Sequence, residues 1–205
     1  MKLHTIVLTG IALGGLALFA ACGPEPEKES VAVHECRLDA FVVAADGVTL
    51  EGLAADVVVA NLPPETIVSI NGAGEGRLRI ARAVSLEGDV LFESGSGSGT
   101  GDSAAWLPAG SVATSSKALQ IASPAASAGA ELEELPDSEQ PTVPIFADAD
   151  GAAAPVARLT PDEAVNLLDC RGTWAYISAT SIEGEAANGW LAPEAQCPNP
   201  VTSCS

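Results

Sequence analysis

Beyond about residue 31, apolar and polar positions alternate in short runs. VAVHECRLDAFVVAADGVTL, ETIVSI and RLRIARAV are rich in Val, Ile and Thr, and Asn-Gly, Gly-Glu-Gly and Asp-Gly pairs separate them. A period of two with turn residues between the runs predicts strands joined by tight turns. The stretch GVTLEGLAADVVVANLPP has enough apolar residues from Leu50 to Ala60 for a helix, but its β-branched content and glycines argue for strand. ESGSGSGTGDS, residues 93–103, cannot pack a core and reads as a Gly/Ser loop. SPAASAGAELEELPDSEQPTVP, residues 123–144, reads as a linker between two units.

The pattern recurs. LPPETIVSI at 62–70 and LTPDEAVNL at 159–167 share a Leu, a proline-containing acidic turn and an apolar strand. A second strand follows in each, carried by GRLRI and GTWAYI, and each unit closes on a tryptophan phrase, AAWLPAGS or NGWLAPEA. Three blocks in one order imply two copies of one small β unit.

The N-terminus is of another kind. Ile6 to Ala21 is apolar but falls short of the roughly 20 residues a spanning helix needs. It ends in Leu18-Phe19-Ala20-Ala21-Cys22, which resembles the lipobox of bacterial lipoproteins, with Phe19 where Leu, Val or Ile is usual. The resemblance implies that 1–21 is a signal peptide, that Cys22 is lipidated, and that 22–35, opening Pro-Glu-Pro-Glu, is a tether. The expected location is then the membrane face of a bacterial envelope.

The repeated blocks resemble the bacterial SH3-like (SH3b) domain, a small five-stranded barrel. In the second unit Ile145-Phe146 would form the opening strand, Ala164 to Leu168 the middle strand, Trp174 and Tyr176 the aromatic strand, and Gly189-Trp190-Leu191 the closing phrase. The first unit is degenerate: Leu78 replaces the middle aromatic, and Ala105 the glycine before Trp106. The implied fold is all-β, two tandem SH3-like barrels at 36–115 and 144–205 joined by a linker at 116–143. Trp174, Tyr176, Trp190 and Pro193 would gather at one end of the second barrel as a peptide- or glycan-binding groove. The partner implied is peptidoglycan or an envelope protein.

With Cys22 acylated, Cys36, Cys170, Cys197 and Cys204 remain, an even count that suggests two disulfides in an exported chain. The resemblance makes the turn before the aromatic strand a neighbour of the end of the barrel. It therefore favours Cys170–Cys197 with Cys36–Cys204; the alternative is Cys197–Cys204 with Cys36–Cys170.

Charge and inventory narrow the function. Nine Lys+Arg against 27 Asp+Glu give a formal net charge of −18, which repels nucleic acid. Arg77, Arg79 and Arg82 form a basic cluster, whose simplest reading is a solvated strand face. Of the two histidines, His4 leaves with the signal, so only His34, beside Glu35 and Cys36, could serve as a base. Paired-cysteine metal spacing and a phosphate loop are both lacking. Asp148-Ala149-Asp150-Gly151 has its glycine and its position-twelve residue, Leu159, in the wrong places for a calcium loop, and reads as a turn. The expectation is a binding protein without catalytic machinery, cofactor or metal.

Overall fold

A computed structural model describes residues 33–52, 57–95, 104–117 and 141–199. The expected signal peptide, lipidated Cys22, most of the tether and of the Gly/Ser loop, linker residues 118–140 and Cys204 lie outside the described residues. Among the described residues no helix is long and apolar enough to cross a membrane.

The protein is all-β. The first half contributes β1 (His34–Val42), β2 (Val48–Glu51), β3 (Val58–Leu62), β4 (Ile67–Gly74), β5 (Arg77–Val84), β6 (Val90–Glu93), β7 (Ala105–Pro108) and β8 (Val112–Ser116). The second contributes β9 (Val143–Phe146), β10 (Pro155–Leu159), β11 (Ala164–Arg171), β12 (Trp174–Thr180), β13 (Ala186–Leu191) and β14 (Gln196–Cys197), with a 3₁₀ turn at Pro193–Ala195. All belong to one antiparallel sheet, ordered β10-β9-β13-β12-β11-β8-β1-β4-β5-β7-β2-β3, with β14 added on β8 and β6 on β5. Of the stretch from Leu50 to Ala60, which has some helical character in sequence, residues 50–51 belong to β2 and 58–60 to β3.

The repeat is visible in the pairing. In the first half β2 pairs β3 and β7, then β7, β5 and β4 follow in order. In the second, β9 pairs β10 and β13, then β13, β12 and β11 follow. The halves also agree in packing. Val68, Ile70, Leu78 and Ile80 have Val165, Leu167, Ala175 and Ile177 as counterparts, and all are buried in one hydrophobic cluster. Burying each larger side chain is worth about 1.5–3 kcal/mol. Even the turns match: Glu65 and Asp162, each after a proline, take positive φ of 62° and 63°, as the third residue of a type II turn must.

β8 is where the halves meet. In the first half β1 lies between β4 and β8. In the second half the equivalent place, between β11 and β14, is taken by β8 itself. One strand therefore closes the first repeat and opens the second. Its hydroxyls secure the seam: Thr114, fully buried, donates to the Cys197 carbonyl at 3.0 Å, and Ser116 donates to the Thr160 carbonyl at 2.8 Å.

A disulfide adds a second tie. Cys36 in β1 is bonded to Cys170 in β11, with Cα atoms 5.8 Å apart. This corrects the favoured Cys170–Cys197 pairing. That preference put Cys170 in a turn, whereas β11 runs on through Arg171 and the turn is Gly172-Thr173. There the Arg37 amide donates to the Gly172 carbonyl at 2.6 Å, which brings β1 alongside. Cys197 is also disulfide-bonded.

Candidate functional site

β12 alternates strictly at its start. Ala175 and Ile177 face the core, so Trp174 and Tyr176 must face away from it. Antiparallel register then sets a row across four strands: Asp169 on β11, Tyr176 on β12, Trp190 on β13 and Phe146 on β9. The Tyr176 and Trp190 rings lie 5.1 Å apart and tilted by 48°, and Trp174 meets Phe146 edge-on at 6.0 Å. Both separations fall in the range where aromatic pairs attract beyond their buried area.

Neighbours hold the rings in place. The Arg171 guanidinium sits 5.4 Å from the centre of the Trp190 ring, a cation–π contact. Gly151 is the point where the β9–β10 loop passes Trp174. A Cβ there would lie 3.1 Å from the indole, and the residue's φ is +66°, so glycine suits the position twice over. The loop before it is the expected turn, with Asp150 accepting from the Ala152 amide at 2.9 Å.

Of the four residues expected to gather, ring contacts involve Trp174, Tyr176 and Trp190; Pro193 is exposed and opens the 3₁₀ turn. Trp190 is only 9% exposed, yet it lies outside the hydrophobic core cluster. It is the floor of the row, and Trp174 and Tyr176, half-buried, form its accessible part. Phe146, Arg171 and Gly151 were not singled out from sequence as site residues. A repeated tryptophan flags its own strand but carries no information on which residues from other strands lie beside it.

The first half repeats the arrangement with other side chains. Trp106 on β7 lies between Arg79 on β5 and Glu51 on β2, and the Arg77 guanidinium stands 5.3 Å from its ring centre. Arg77 and Arg79 occupy the places of Trp174 and Tyr176. A groove of about 630 Å³ runs between β10 and the β12–β13 turn, beside Arg158 and Glu183, and none of the four predicted residues lines it.

The sole histidine among the described residues is engaged at the β11 end of the row. His34 Nε2 is 2.7 Å from Asp169 Oδ1, and the disulfide removes Cys36 as its thiol partner. Among the described residues no group of three or more His, Cys, Asp or Glu side chains is placed to hold a metal ion. No protein-family model matches this chain, and neither a curated protein nor a solved structure matches it.

Proposed function

We propose that this protein is a lipid-anchored envelope protein whose two repeats are SH3-like β barrels joined through a common strand, and that it binds cell-wall glycopeptide without catalysis. The observation that carries the binding assignment is the aromatic row on the face of the second half turned away from the core. Rings spent there contribute little to the hydrophobic core, and a flat, partly open aromatic surface suits the apolar face of a sugar or an extended peptide. The barrel reading is supported by the strand order common to both halves and by the 3₁₀ turn before β14. The anchor is supported by the Leu18–Cys22 segment of the sequence.

The test is co-sedimentation of the full chain, in detergent, with purified peptidoglycan sacculi. Wild type should pellet with the sacculi, and a folded Trp174→Ala variant should remain largely in the supernatant. Equal pelleting of the variant would remove the aromatic row as the binding surface. Failure of wild type to pellet above a control protein would exclude the wall and leave an envelope protein as the partner, with this chain its regulator or a spacer.

A further inference from the structure

We propose that the first half carries a second binding site, a cradle in which Arg37 and Arg79 take the carboxylate of an amino-acid-type head group. Sequence alone made the arginines of β5 a solvated strand face; the structure treats Arg79 differently. It is half-buried, its Nε–H donates to Asn71 Oδ1 at 2.8 Å, and its Nη2 donates to the Asn71 carbonyl at 2.9 Å. Gly72 makes the room for this, since a Cβ there would lie 3.1 Å from both Nε and Nη2. The guanidinium is thus fixed flat against β4 before any ligand arrives. Two of its five N–H donors are used in holding it, which leaves three for an acceptor.

Arg79 and Arg37 line one groove of about 510 Å³, with Asn71, Glu35 and the Gly172-Thr173 turn of the second half as its other walls. Among the described residues neither arginine is paired with a carboxylate. Two guanidiniums left open to one groove, one of them locked, are suited to a planar oxyanion by charge and by fork geometry. Glu35 selects further. A plain anion would meet its carboxylate as a like charge, whereas a head group that also carries an ammonium would pair with it. The ligand class is therefore a zwitterionic amino acid or peptide end. This site does not rest on the aromatic row of the second half.

The experiment is NMR titration of the ¹⁵N-labelled full chain in detergent with alanyl-alanine, its C-terminal amide and its N-acetyl derivative. The free dipeptide should shift the Arg79 Nε–H and the Gly172 and Thr173 amides, with a Kd on the order of 1 mM. The amide should bind at least about tenfold more weakly, as should the dipeptide to an Arg37→Gln variant, because each removes a charge-assisted contact. Arg37 is exposed, so its replacement leaves the fold intact. No shift at these three positions, equal binding of the amide, or unchanged affinity in Arg37→Gln would each overturn the carboxylate cradle. Equal binding of the N-acetyl form would overturn the role of Glu35.

Discussion

The Cys36–Cys170 bond offers the sharpest test of how the halves are held. It joins positions 134 residues apart, and nearly all of β1 through β11 lies inside the loop it closes. Cross-linking removes loop-closure entropy from the unfolded chain, and the chain-entropy relation gives about 5 kcal/mol for a loop of this length. Both cysteines are buried, at 3% and 0% exposure, so replacement by alanine also leaves small voids that each cost about 1 kcal/mol. Domains of comparable size have a total stability of about 5–15 kcal/mol. The Cys36→Ala/Cys170→Ala variant should therefore lose a third or more of its stability. At roughly 2–4 °C per kcal/mol for a chain of this size, the combined loss of about 7 kcal/mol should lower Tm by about 14–28 °C under non-reducing conditions. Scanning calorimetry reads this directly. Each single variant should fall at least as far as the double, because either one abolishes the same bond. A drop below about 3 °C in the double variant would refute the entropic argument. A Cys36→Ala variant as stable as wild type would refute the pairing itself, since Cys170 would then be bonded elsewhere.

Two further outcomes follow from the seam and the repeated turns. Thr114→Val keeps the shape of a fully buried side chain but leaves the Cys197 carbonyl without its 3.0 Å donor. It should cost about 1–3 kcal/mol in urea titrations, with Thr114→Ser recovering most of the loss. Glu65→Gly and Asp162→Gly relieve side chains held at φ of 62° and 63°. Each should stabilise by about 0.5–1 kcal/mol, the left-handed penalty less the added entropy of glycine; a lower midpoint in either would show that the side chain contributes more than its strain.

What could be read in the chain was what is local. Alternation in ETIVSI and RLRIARAV is a property of neighbouring residues, and β4 and β5 lie where it predicts them. The kinship of 62–70 with 159–167 was legible because core positions such as Leu62 and Leu159 demand the same residue type in both halves. Alternation does not, however, say which face meets water. Trp174 and Tyr176 gave a period-two signal equally compatible with core or surface, and Ala175 and Ile177 fill the core instead. Register is equally non-local: nothing near Phe146 announces that Trp190 will lie opposite it. The disulfide went astray for the same reason, since Cys36 meets Cys170 only because β1 is brought to the Gly172 turn. β8 was hidden most thoroughly. Residues 112–116 follow a tryptophan phrase and read as the end of one unit, and a strand's second partner leaves no trace in its own sequence.

That doubly used strand gives the molecule a direction in time. Within residues 33–117 β1 finds both of its strand partners, β4 and β8, whereas β11 has to borrow β8 from the first half as its outer neighbour. A ribosome, or a translocon passing the chain N-terminus first, delivers the lender before the borrower. The earlier half can take shape while the rest is still being made, and it then presents β8 as a ready edge on which β11 registers. Cys170 comes into register with Cys36 through the docking of β11 on β8, so formation of that bond follows the docking and records that the order was kept.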